Sequence, residues 1–283
     1  MDRRRFLTRL SATGLGALAL SGCGPITVVE DPRSPRNRKV EGEVMGAVLY
    51  ARRAGLLRHH LGPSLRPWAT NGTLVVARGP DKGPHDLVLD YAHFVDRALH
   101  TYHSPPTEGR MLRFKDPVIR VVGSEAQFTF TTMIIDPTYV LVMRESYELW
   151  LSQRGWMVIR ARRWPLEERK QGGKFRFDAS EWAQRDALAK AANARGDHVQ
   201  RVRDLLSGWR FKDAFAAAKI ATETEGLSSA EAAKRWALRG EVAVQLGLAS
   251  EAVGAFKQAL KLDPKVQLPG VKAADDARVG LGL

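Results

Sequence analysis

Residues 126–152 read AQFTFTTMIIDPTYVLVMRESYELWLS, and the alternation within them decides the fold class. In the first half Ala126, Phe128, Phe130, Thr132 and Ile134 fall on one side, with Gln127, Thr129 and Thr131 on the other. In the second half Tyr139, Leu141, Met143, Tyr147, Leu149 and Leu151 oppose Val140, Val142, Arg144, Ser146, Glu148 and Trp150. A period of two describes strands with one buried face, and the Asp136-Pro137 pair between them is a turn. Val118–Gly123 and Gly155–Pro165 extend the pattern on either side, joined through Gly123-Ser124 and Gln153-Arg154-Gly155. The four segments predict an antiparallel sheet whose apolar face must be covered by helices.

The preceding residues supply that cover. A helical stretch is expected over 42–53, broken at Ala54-Gly55 and resumed over 56–61, and a short strand over 74–77. A long helix is expected over 85–103. Its apolar stripe is Leu87, Val88, Tyr91, Phe94, Val95, Ala98, Leu99 and Tyr102 at 3.6 spacing. The order helix, helix, short strand, helix, curved sheet resembles the nuclear-transport-factor-2-like superfamily, which includes ketosteroid isomerase and the polyketide cyclases. The Tyr50–Gly55 segment and the last two strands, 144–150 and 155–160, carry the likeness, which spans residues 42–168. It implies a cone-shaped sheet around a mostly apolar pocket, in a family whose members range from enzymes to binding or assembly modules.

Glu145 shares the apolar face of its strand, where a carboxylate needs a partner or a raised pKa. Arg163 lies on the inward parity of the last strand, with Met157, Ile159 and Ala161, and is one candidate partner. Tyr50 on the first helix is another. In a ketosteroid-isomerase-like enzyme a carboxylate base and a tyrosine donor would act together in such a pocket. The simpler expectation is a bulge that reverses the parity, or a structural pair. No Ser-His-Asp order, phosphate loop or two-carboxylate geometry is present. His93, Asp96, His100 and His103 recur at helical spacing opposite the stripe. A ladder along one helix surrounds an ion poorly, so a solvated face is expected and neither metal nor cofactor is assigned. Arg160, Arg162 and Arg163 interleave with Trp156 and Trp164, a patch suited to acidic lipid or glycan.

From Asp178 the composition turns to alanine-rich helix, with five helices expected over 180–194, 197–208, 211–225, 229–246 and 250–262. Asp178 with Glu181 and Ser228 with Glu231 have capping-box spacing. Trp236, Gly240, Ala252, Phe256, Ala259 and Pro264 stand where a tetratricopeptide repeat places its signature residues, and Phe211, Ala214, Ala218 and Ala221 form a fainter upstream copy. Two units fall short of a free-standing solenoid, so this segment is expected to lean on its neighbour.

The N-terminus carries an address. Arg3 and Arg4 begin a run that resembles a twin-arginine export signal, and an apolar core follows over Leu10–Leu20. Leu20-Ser21-Gly22-Cys23 resembles a bacterial lipobox, which would make Cys23, the chain's one cysteine, a lipidated anchor. The net charge is +13; the leader's four arginines and one aspartate supply three of these. The remaining +10 favours anionic surfaces, while an envelope address argues against nucleic acid. Gly24 after the anchor favours the outer membrane if there are two.

The expected organisation is a signal peptide (1–22), a lipid-anchored tether (23–41), the α+β cone domain (42–168), a linker (169–178), a small all-α tetratricopeptide-like domain (179–266) and a loose tail (267–283). The expected function is a membrane-anchored, non-enzymatic interaction or assembly factor with another envelope protein as partner. The alternative is a small-molecule-binding or isomerase/cyclase-type enzyme using the cone pocket.

Overall fold

A computed structural model describes residues 35–170 and 173–283. Helix α1 (Pro35–Arg58) and the short α2 (Leu61–Leu65) precede β1 (Trp68–Val76), β2 (Leu87–Asp90) and α3 (Tyr91–Thr101). Five strands follow: β3 (Met111–Val122), β4 (Glu125–Ile135), β5 (Tyr139–Ser152), β6 (Gly155–Lys170) and β7 (Gly173–Arg176). Six helices complete the chain: α4 (Ala179–Ala194), α5 (His198–Ser207), α6 (Phe211–Thr222), α7 (Ser229–Gln245), α8 (Ala249–Leu262) and α9 (Lys272–Val279). The class is mixed α+β. The strands form one curved sheet in the order β2-β1-β6-β5-β4-β3, with β7 hydrogen-bonded to β6. Its pairs are antiparallel except β1 with β6, which run parallel.

The alternation read on β4 and β5 sets the buried face. Ala126, Phe128, Phe130 and Ile134 on β4, with Met143, Glu145, Tyr147 and Leu149 on β5, are all buried. On β6 the expected parity fails part-way. Trp156 and Val158 point inward instead of Met157 and Ile159, and Ala161 and Arg163 follow inward. The register explains it: Leu149 pairs with Val158 but Glu148 with Arg160, so Ile159 is a bulge that resets the alternation.

Several local expectations give way to tertiary context. α1 begins at Pro35, inside the expected tether, and runs unbroken through Ala54-Gly55, because both pack in the interior. A side chain at Gly55 would overlap the Tyr102 hydroxyl, so the glycine permits close packing and does not end the helix. The first turn of the expected 85–103 helix is instead β2. Leu87 and Leu89 alternate inward and pair with β1, and Asp90 caps α3 by accepting the His93 N–H (2.9 Å). The charged segment expected to be a linker continues β6 and turns into β7.

The five expected C-terminal helices lie within about three residues of the predicted bounds. Ser228 and Glu231 form a reciprocal capping box, and Asp178 accepts the Ser180 and Glu181 N–H groups. Gly240 of α7 faces the Phe256 ring of α8 so closely that an added methyl would overlap it. The expected loose tail forms α9, because Ala273, Ala274 and Ala277 are fully buried in the cluster of Phe256 and Leu260.

These helices dock on the sheet layer. Phe211 is buried in the core of the sheet, with Leu206, Trp209 and Leu246 beside it. Arg78 donates two bonds to Asp186 (2.9 and 2.6 Å) and one to the Gly208 carbonyl (2.7 Å), and lies over Trp182. The histidine face of α3, expected to be solvated, is part of this dock. Gly247 has a φ of +70° and presses against the His93 carbonyl, where any side chain would collide. His103 pairs with Asp275 at 2.6 Å. His100 is buried, and its Nδ1 accepts the Ala273 N–H at 3.0 Å, serving as a cap for α9 from another element.

That last bond requires a neutral imidazole. Burial lowers the His100 pKa, against the pull of Asp96 and Asp276 and with Lys272 and His103 adding to the lowering. The folded chain therefore binds this proton less tightly than the unfolded one. The contribution is present in full above the ordinary value of 6.5 and is lost as pH falls below it. Hydrogen-exchange protection of residues 273–279 should fall between about pH 7.5 and pH 5. In His100→Asn, whose amide oxygen keeps the acceptor without titrating, it should stay level. Identical pH profiles in the two proteins would contradict this account.

Candidate functional site

Two places on the molecule gather chemistry. The first is the interior of the curved sheet. α1 presents Val44, Val48, Ala51 and Arg52 to the buried face, four positions on one helical stripe. Arg52 Nη2 donates to Glu145 Oε1 at 2.7 Å and Nε at 3.2 Å, and Thr132 Oγ1 donates to the same oxygen at 2.6 Å. Tyr147 Oη donates to Glu145 Oε2 at 2.7 Å and accepts from Arg163 Nη2 at 2.9 Å. Arg163 Nε lies 2.9 Å from Oε2, close enough to ion-pair although its N–H does not point along that line.

The Glu145 side chain has no exposed surface, and those of Arg52 and Arg163 are 8% and 12% exposed. Burial pushes the Glu145 pKa up, but Arg52 and Arg163 outweigh it and lower the value to about 2. Burial raises the Tyr147 phenol above its ordinary range, with Glu145 adding to the shift and Arg163 opposing it. The carboxylate is therefore a permanently charged acceptor with both oxygens engaged. A group titrating near 2 is a poor general base at neutral pH.

The expected pair of Glu145 and Arg163 is brought together. Tyr50 is not: it is 59% exposed on the outer face of α1, and Tyr147 supplies the hydroxyl instead. Arg52 was missed, although it stands four residues after Val48 on the same stripe. Beside the network only about 20 Å³ is empty, bounded by Arg52, Arg163, Tyr102, Tyr147, Trp68 and Phe94 among others. The apolar pocket expected from the sequence is largely filled by these side chains.

The basic patch on β6 is dispersed. Arg162 binds Asp86 and the Gly79 carbonyl, Arg163 points inward and Trp156 is buried. A strand sends neighbours to opposite faces, so consecutive arginines do not share one surface.

The second place is a groove of about 610 Å³ between α5 and α7, closed at one end by residues 263–267. Val199, Leu206, Leu238 and Val266 supply its apolar lining, and Arg203, Lys234, Arg235 and Lys265 its cations. Two of its three acids are engaged locally: Glu231 in the Ser228 capping box, and Asp263 by the Lys265 N–H. Desolvation raises the third, Glu241, with Arg203 opposing the shift. Among the described residues Arg203, Lys234 and Lys265 form no side-chain salt bridge.

Of the repeat positions, Gly240, Ala252, Phe256 and Ala259 are buried at the α7–α8 contact; Trp236 is partly buried and stacks under Arg239. Pro264 follows the end of α8. Cys23, Arg3, Arg4, Leu20, Ser21 and Gly22 lie outside the described residues.

No protein-family profile matches the chain, and no curated protein does. Solved structures similar to it include an NTF2-like protein from Pseudomonas putida, 10% identical, covering 45% of this chain and 87% of its own, with a TM-score of 0.37. An NTF2-like protein from Shewanella baltica is 12% identical, covering 47% of this chain and 98% of its own (TM-score 0.35). An NTF2-like protein with a cystatin-like fold from Novosphingobium aromaticivorans is 14% identical, covering 47% and 91% (TM-score 0.33).

Removing the charge of Glu145 leaves two inward guanidiniums without their counter-charge. Glu145→Gln should destabilise the protein by about 3–5 kcal/mol, the cost of breaking a buried ion pair from one side. Tyr147→Phe removes two hydrogen bonds but no charge and should cost less, about 1–3 kcal/mol. Urea unfolding of the three proteins measures this. A Glu145→Gln protein as stable as the parent would show that the network carries no structural load.

Proposed function

We propose that the protein is a membrane-anchored envelope lipoprotein acting as a non-enzymatic interaction factor, with its α5–α7 groove receiving an acidic segment of a partner protein. The observation that carries this reading is the contrast between the two places. In the sheet interior both oxygens of Glu145 are engaged and only about 20 Å³ is left beside them, while the groove is about 610 Å³ and its Arg203, Lys234 and Lys265 form no side-chain salt bridge among the described residues. The arrangement of α5 to α8, with Gly240 against Phe256 and Pro264 ending the second helix, supports a worn tetratricopeptide-like pair whose concave side is this groove. The closed interior and the low pKa of Glu145 weigh against an isomerase- or cyclase-type base there.

The address rests on the sequence of residues 1–23. Among the described residues no helix is long and apolar enough to cross a membrane, so attachment in this reading falls to lipidated Cys23.

A photo-crosslinking amino acid at position 234, introduced in cells, tests the groove. It should give a protein adduct in the membrane fraction that Arg203→Glu with Lys265→Glu abolishes. The same probe at exposed position 150 should give none. With Cys23→Ser the chain should leave the membrane fraction. An adduct at 150 and none at 234 would move the working surface to the sheet; a Cys23→Ser protein that pellets like the parent would overturn the anchor.

A further inference from the structure

We propose that the interior of the curved sheet holds one small monovalent anion, the size of a chloride ion, beside Arg52 and Arg163. The argument begins with charge. Arg52 and Arg163 both point into the interior and share one carboxylate, Glu145. The other buried acid among the described residues, Asp136, is engaged by Arg110 at 2.6 Å. Arg97 adds a third guanidinium behind Arg163. It donates to Gln245, its Nη1 has no partner, and it forms no salt bridge among the described residues. Three cations stand against one anion where water is scarce, and a buried charge without a counter-charge is costly.

Space and lining then select the occupant. The cavity next to the network has about 20 Å³, room for a single water-sized particle and nothing larger. Its lining includes Arg52 and Arg163, whose guanidiniums only donate, and Tyr102, whose hydroxyl both donates and accepts. Against these the lining side chains bring Ser64, whose proton goes to the Leu61 carbonyl, and Tyr147, whose oxygen already accepts from Arg163. Trp68, Phe94 and Val158 supply the apolar remainder. A water molecule would find donors and acceptors here but carries no charge. An anion is held by the same donors and also cancels one unit of the excess charge. The site would clamp α1 to the sheet from the side that Glu145 does not reach.

The test uses the full-length Cys23→Ser protein, with melting temperature followed at constant ionic strength while gluconate is replaced by chloride or bromide. Gluconate is too large for the cavity. Both halides should raise Tm by several degrees along a saturating curve, as expected of a ligand that binds only the folded chain. Arg163→Gln should flatten that curve. Crystals soaked in bromide should show an anomalous peak within hydrogen-bonding distance of the Arg52 and Arg163 guanidiniums. A Tm set by ionic strength whatever the anion, with an ordered water only at that position, would overturn the proposal. So would a halide effect whose bromide peaks all lie outside the interior.

Discussion

Glu145 is the point at which the sheet and its covering helix are tied. A carboxylate without exposed surface is tolerated only because Arg52 reaches it from α1, Arg163 from β6, Thr132 from β4 and Tyr147 from two residues along its own strand. Four elements are thereby fixed to two oxygen atoms. The geometry depends on a local irregularity, the bulge at Ile159, which turns Arg163 inward after Trp156 and Val158 have already faced that way. Such a network specifies one packing of α1. Its carboxylate stays ionised far into acid, and its phenol keeps its proton.

With the interior occupied in this way, the α3 surface becomes the second constraint. α3 covers the sheet with Phe94 and Ala98 and, with His103 just past its end, presents His93, Arg97 and His100 to the C-terminal helices. The helices α4 to α9 are rich in alanine, and small side chains let them approach one another closely. The same smallness limits how much apolar surface they bury among themselves, so they borrow from the sheet: Phe211 enters its core, and Arg78 and Trp182 close the opposite side.

Much of this was legible in the chain. β4 and β5 were readable because strict alternation over ten or more residues has one interpretation, and α4 to α8 because capping residues and breakers mark their ends. The Glu145–Arg163 pair followed from parity on β5 and the need to pair a buried acid. What escaped depended on contacts distant in sequence. Leu87–Asp90 fits a helical stripe and a strand equally well, and pairing with β1 decides it. The bulge at Ile159 leaves no local mark. His100 reads as a solvent-facing residue until α9, more than 170 residues later, is placed against it. Arg52 was within reach, since its spacing from Val48 puts it on the buried stripe, but an arginine on such a stripe reads as a boundary until its partner is known.

If the ionic network is a structural tie and the groove is the working surface, the network can be exchanged for packing without loss of function. The measurement is made on Arg52→Met, Glu145→Leu and Arg163→Met combined, which replaces the charges by apolar side chains of similar size; such exchanges are often neutral or stabilising. The account predicts that this protein melts cooperatively and gives the same crosslinked adduct from position 234 as the parent. A folded triple variant that no longer forms the adduct would contradict it, and would place the protein's activity at Glu145.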